Sequence, residues 1–194
     1  MHKRSLAIYE ELGRKEGMAA NLGNLGLIYR KRGDLAQAEE MHKRALAIEE
    51  ELGRKEGIAS ELGNLGLIYE TWGDLDQAEE MHKRALAINE DLGRKEGMAN
   101  NLGNLGIVHW KRGDLEQAED MLKRALAIDE ELGRKAGMAS DLGNLGLIYK
   151  ARGDMPKACN HWRKALALYQ QVGAKPKVQW AERLITRNSC PAVE

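Results

Sequence analysis

Apolar side chains recur three or four positions apart along this chain, stop at a glycine, and start again. Ala59, Leu62, Leu65, Tyr69 and Trp72 fall on one helical stripe, Gly73 interrupts it, and Leu75, Ala78, Met81, Ala85, Ile88 and Leu92 form a second. The pattern predicts two amphipathic helices joined by a tight turn. Glycine at the end of the first supplies a left-handed stop without steric cost, and Asp74 after it can accept backbone N–H bonds from the next helix. Gln37, Gln77 and Gln117 stand three residues beyond Asp34, Asp74 and Asp114, so each pair can close a reciprocal capping box, whereas Lys157 after Asp154 departs from it.

The helix pair repeats every forty residues. Residues 41–80 and 81–120 are identical at 27 of 40 positions, and Leu-Gly-Asn-Leu-Gly stands at 22–26, 62–66, 102–106 and 142–146. A fixed period of this length marks a stacked array, each unit burying its apolar face against its neighbours. The expected chain is all-α and one array over 1–194. It has a partial second helix at 1–12, full repeats at 14–52, 54–92, 94–132 and 134–172, a capping helix at 174–188 and a tail at 189–194. Two helices of roughly 16 to 18 residues per unit give antiparallel rods about 25 Å long. Each first helix carries two interior glycines, such as Gly63 and Gly66, and eight of them cost on the order of 8 kcal/mol against alanine. Close helix approach, with a bulky neighbour filling the missing side chain's place, is the expected compensation.

Composition narrows the function classes. Thirty basic and thirty acidic side chains cancel, so the chain lacks the charge excess of a dedicated nucleic-acid binder. No apolar run approaches the roughly 18 residues of a membrane helix, and the first residues contain no secretory-type apolar stretch. Cys159 and Cys190 lie far apart without metal spacing, which predicts reduced thiols in a cytoplasmic protein. Glu39 with Lys43, Glu40 with Arg44, Glu79 with Lys83, Glu80 with Arg84 and Glu119 with Lys123 stand four apart, acid first, and read as a solvated face.

At their spacings, Leu62, Leu65-Gly66, Tyr69, Gly73-Asp74-Leu75, Ala78 and Ala85 resemble the tetratricopeptide repeat (TPR), lengthened from about 34 residues to 40. The added length falls in Leu92-Gly93-Arg94-Lys95-Glu96-Gly97-Met98. With the Leu-Gly-Asn tripeptide it looks like the subclass of kinesin light chains and Leu-Gly-Asn-repeat adaptors. Leu62 stands where many repeats carry Trp, His82 at a commonly aromatic position, and no proline closes the unit. The resemblance implies a right-handed solenoid of antiparallel helix pairs, four full repeats with a partial helix before and a cap after, whose first helices line a concave groove. It also implies a noncatalytic protein-interaction scaffold holding an extended peptide or partner helix.

By that resemblance Asn24, Asn64, Asn104 and Asn144 match the asparagine that bonds a ligand's backbone in peptide-binding relatives. An amide both donates and accepts, as a peptide unit does, and the bland alternative is a bond between neighbouring helices. Ala20, Ser60, Asn100 and Ser140 lie one turn earlier. Arg30, Lys31, Lys111 and Lys150 contribute to a basic rim that Trp110 adjoins, fit for an acidic peptide and less so for a nucleic-acid strand. The helix dipole alone also favours cations there. Six of the thirteen differences between repeats two and three are consecutive, 67–72 against 107–112, at the groove end of the first helix.

Elsewhere the residues argue for little chemistry. His2, His42 and His82 share one repeat position, which Leu122 takes in the next unit, and none has a second ligand three or four residues away, so no metal is expected. His109, in the place of a tyrosine, reads as a core swap. Gly13-Arg14-Lys15-Glu16-Gly17 lacks the ending and preceding strand of a phosphate loop. No catalytic constellation assembles, so no enzyme activity and no cofactor are expected. Residue 1 aligns with Met41, inside a second helix, leaving Leu6 and Ile8 less covered than their counterparts. A second reading follows: a consensus-like array that self-associates as a dimer or end-to-end stack through that uncapped face.

Overall fold

A computed structural model describes residues 14–191. Among them lie nine α-helices and no strand: α1 Lys15–Arg32, α2 Leu35–Glu51, α3 Lys55–Trp72, α4 Leu75–Asp91, α5 Lys95–Arg112, α6 Leu115–Glu131, α7 Lys135–Ala151, α8 Met155–Gln171 and α9 Lys175–Arg187. The partial helix expected at 1–12, with Leu6 and Ile8, lies outside the described residues. Two compact units divide at Arg94: α1–α4 form the first and α5–α9 the second. Within each, successive helices pack in pairs, α1 on α2 and α3 on α4, α5 on α6 and α7 on α8.

The turns explain the sharp punctuation of the sequence. Gly73 adopts φ 84° and Gly93 φ 65°, a region open to glycine without strain. At the first turn the Asp74 amide donates to the Tyr69 carbonyl (3.0 Å); at the second, Arg94 donates to Asn89 (2.8 Å). This arrangement also corrects the capping-box expectation. Asp74 accepts from the Gln77 amide (3.2 Å) and Asp154 from Lys157 (3.1 Å), while Asp34 and Asp114 make no such bond. Among the described residues no glutamine returns a bond, because each aspartate N–H already closes the preceding helix, as Asp34 does to Tyr29 and Asp114 to His109.

Close approach accounts for the interior glycines. A Cβ on Gly26 would lie 2.5 Å from His42 Nε2, and one on Gly66 2.6 Å from His82 Cε1. In the second unit Gly106 receives Leu122 (2.7 Å) and Gly146 receives the indole of Trp162 (2.3 Å). That indole N–H donates to the Gly143 carbonyl at 3.2 Å. Each first helix thus has a socket, and each second helix a knob sixteen residues on. Alanines at 38, 45, 78, 85, 118, 125, 158 and 165, all fully buried, keep the second helices near enough for the knobs to reach.

The C-terminal helix α9 covers the last pair. Trp180 lies over Gly143 and meets Tyr169 edge-on, with centroids 6.5 Å apart and planes at 81°, while Ala181 is fully buried. Here the cysteine expectation fails. Cys159 on α8 and Cys190 just beyond α9 form a disulfide, because the turn after α9 folds back until their Cα atoms are 5.6 Å apart. Separation along the sequence gave no hint of that return, which brings part of the expected tail onto the repeat.

Candidate functional site

Spacing four, three and four along a first helix puts Ala20, Asn24, Leu27 and Lys31 of α1 on one stripe, with Ser60, Asn64, Leu67 and Thr71 of α3 in the equivalent places. None of the eight is buried, and Leu27 is 40% exposed. In the second unit the same stripe runs Asn100, Asn104, Ile107 and Lys111 on α5 and Ser140, Asn144, Leu147 and Ala151 on α7. The four asparagines are exposed or half-buried, and among the described residues their side-chain amides make no hydrogen bond within the protein. Other asparagines behave differently: Asn21, Asn89 and Asn101 each donate to the carbonyl four residues back.

The rim is less uniform than its composition. Arg30, Lys31 and Lys150 form no ion pair among the described residues, whereas Lys111 and Arg112 are engaged by other groups. Arg152 is drawn off the rim altogether: it pairs with Glu119 and donates to the Leu115 carbonyl at 3.0 Å. Trp110 is half-buried and packs against the cluster around Leu122, Leu145 and Trp162. Trp72 is 45% exposed and leans on Tyr69 at 5.9 Å. It borders an open cleft of about 430 Å³ with Gly33, Asp34, Leu35, Ala36 and Gln37; a second, of about 340 Å³, lies along α9. Neither of these two clefts includes a stripe asparagine.

Beneath the surface runs a polar layer that the amphipathic pattern did not expose. In the first unit His42 Nδ1 lies 2.6 Å from Glu61 Oε2, both buried, joining α2 to α3. Tyr69 donates to Glu39 at 2.7 Å and Lys43 pairs with the same oxygen. Burial would raise the Glu39 carboxyl, but these two donors hold it below the usual range. The second unit repeats this tie: Tyr149 donates to Glu119 at 2.6 Å, and bonds from Lys123, Tyr149 and Arg152 outweigh burial and bring Glu119 down to about 2. The expected solvated acid–base face is thus partly structural, since Glu39, Glu79 and Glu119 are half-buried. Arg84 reaches across to Glu50 at 3.7 Å.

In two of the repeats a carboxylate near the end of the second helix also sits against a glycine of the next first helix. Glu49 approaches Gly57, and burial raises its carboxyl despite Arg54 at 3.4 Å. Asp129 approaches Gly137 and is bonded by Arg134 at 2.9 Å; burial likewise raises it. Arg134 then reaches Asn100 Oδ1 at 3.0 Å, so that asparagine of the stripe is engaged. The signal for this layer was present at positions 49, 61, 129 and 141, where acids interrupt otherwise buried faces. Among the described residues no group of three or more His, Cys, Asp or Glu is placed to hold a metal, and no helix is long and apolar enough to cross a membrane.

The tetratricopeptide repeat profile matches residues 1–51, 17–91 and 57–131, and a second profile of that description matches 141–172. No curated protein sequence matches the chain. Among solved structures, BtubC (BKLC) from P. vanneervenii is 23% identical, with a TM-score of 0.74 over 100% of this chain and 91% of that one. The nearly identical TPR-like repeats of a kinesin light chain type from Podosopora anserina are 20% identical, with a TM-score of 0.70 over 89% and 85%. The Rap conjugation gene regulator of plasmid pLS20, in complex with the Phr* peptide, is 17% identical, with a TM-score of 0.81 over 99% of this chain and 55% of that one. At these identities the likeness is one of fold.

Proposed function

The chain belongs to the tetratricopeptide repeat family, and on that premise we propose that it is a noncatalytic interaction module whose first-helix faces hold an extended peptide or a partner helix. The observation that carries this reading is the set of four stripe asparagines with unspent amides. A half-buried amide that bonds nothing within its own protein is free to pair with a peptide unit, whose N–H and C=O need the same two functions. Leu27, Leu67, Ile107 and Leu147 alongside offer apolar contact, and Trp110 a flat one. Arg30, Lys31 and Lys150, with no acid on them, favour an acidic ligand; Lys111 stands on the same stripe. The pLS20 Rap regulator, of like fold, binds the Phr* peptide, which supports a peptide here.

Self-association through the N-terminal face remains the second reading, and Leu6 and Ile8, on which it turns, lie outside the described residues. A cytoplasmic setting was expected from free thiols and loses that support, since the two cysteines are joined. The test of the first reading is selection of a random twelve-residue peptide library on the whole chain, followed by titration of the recovered peptide. Asn104→Ala with Asn144→Ala, or Asn24→Ala with Asn64→Ala, is expected to weaken capture roughly tenfold or more while leaving the melt unchanged. Equal capture by both double variants and the parent would refute the asparagine reading. A mass that rises with concentration in light scattering would favour self-association.

A further inference from the structure

One position of the first helix is occupied by Asn21, Glu61, Asn101 and Asp141 in successive repeats. The two asparagines share one way of satisfying their polar atoms, Glu61 has another, and Asp141 has none. Asn21 donates to Gly17 O at 2.9 Å and Asn101 to Gly97 O at 2.8 Å. Glu61 meets the imidazole of His42. Asp141 has neither solution: it is 6% exposed, its Oδ2 bonds nothing, and Leu122 holds in α6 the place that His42 holds in α2.

The surroundings add no free cation. From α5 comes Gly103, whose Cβ would lie 3.3 Å from Asp141 Oδ1; from α6, the Asp129 carboxylate; from α8, the Tyr169 hydroxyl, which donates to Ser140 beside Asp141. Arg134, in the link between α6 and α7, is the one cation acting on Asp141, and it is already bonded to Asp129 and Asn100 and paired with Glu96. An ionised Asp141 is therefore a buried charge facing another carboxylate, whereas a protonated one is neutral and has an O–H to donate, as an asparagine has its N–H.

We infer that Asp141 is a proton-operated latch between the third repeat, α5–α6, and the fourth, α7–α8: protonated it lets them close, ionised it loosens them. Burial, and then the charge of Asp129, push its carboxyl up to about 8 against the pull of Arg134. When the fourth repeat opens, the group returns to water and to the ordinary aspartate value of 3.8. Opening thus releases a proton. Its equilibrium constant rises about tenfold per pH unit from roughly pH 4 to 8 and levels off above. The inference is independent of the peptide reading, because its test reads opening with no ligand added.

The test is amide hydrogen exchange of the whole chain between about pH 6 and 8, corrected for the intrinsic rate. Protection of α7 is expected to fall about tenfold per unit in the parent. Asp141→Asn, which installs the residue native to the first and third repeats, is expected to abolish that slope and raise protection at the alkaline end. Leu122→His, whose ring fits the glycine sockets at Gly26 and Gly66, is expected to reduce it. A parent without slope, or a slope unchanged in Asp141→Asn, overturns the latch. Should Asp141→Asn fail to fold by circular dichroism, an unchanged slope in Leu122→His overturns it instead.

Discussion

His42 and Glu61, on helices of successive repeats, stand 2.6 Å apart, Nδ1 to Oε2, with the imidazole fully buried. A second-helix knob thereby does two things: it fills the socket at Gly26 and supplies the polar partner of the next first helix. His42→Leu, which copies the third repeat, is expected to strand the Glu61 carboxylate and lower stability by about 3–5 kcal/mol. Adding Glu61→Asn, the residue of the neighbouring repeats, is expected to recover most of it. Urea unfolding of the two variants measures both.

The sockets make a second prediction opposite to helix propensity. Alanine in place of a helical glycine ordinarily stabilises by about 1 kcal/mol. Gly146→Ala would drive a Cβ to 2.3 Å from the Trp162 indole, which is fully buried and anchored to Gly143. Overpacking of that kind costs about 1–3 kcal/mol, so a lower melting temperature is expected in a thermal scan. An unchanged or higher one would show that the indole yields.

Acid should loosen the second unit at Glu119. Its folded carboxyl stands at about 2 against an ordinary 4.5, so its contribution is complete above pH 4.5 and is lost as pH falls towards 2. Glu119→Gln is expected to melt lower at neutral pH and to lose part of the decline between about pH 4.5 and 2, as followed by circular dichroism. Parallel acid limbs in variant and parent would contradict the assignment.

The disulfide fastens the turn after α9 to α8 across a separation of 31 residues. Closing a loop of that length in the unfolded chain is worth about 3–4 kcal/mol, less any strain. Reduction, or Cys190→Ser, is expected to lower the melting temperature and expose α9 to exchange before α5 and α6. Mass mapping of the oxidised chain checks the bond itself.

Much of the fold was legible because the forty-residue period and the two apolar stripes are local features: Gly73 and Gly93 mark turns, and Leu62 and Leu65 a core, wherever the helices go. The sockets were half legible, since Gly66 signalled close approach but only packing assigns His82 to it. What stayed hidden depends on pairing at a distance. Glu61 interrupts an apolar face with no partner in view until His42 is placed against it, and Cys190 reads as part of a loose tail until the turn after α9 brings it back to Cys159. The stripe asparagines were singled out through the family resemblance, while Arg152 and Asn100 are held in bonds whose partners, Glu119 and Arg134, only the packing reveals.

The most direct measurement of the central claim is the side-chain amide spectrum of the asparagines on adding the library-selected peptide to isotopically labelled chain. The NH₂ resonances of Asn24 and Asn64, of Asn104 and Asn144, or of all four are expected to move on binding, while those of Asn21, Asn89 and Asn101 stay. Shifts confined to residues of the second helices, or to the cleft beside Trp72, would contradict it.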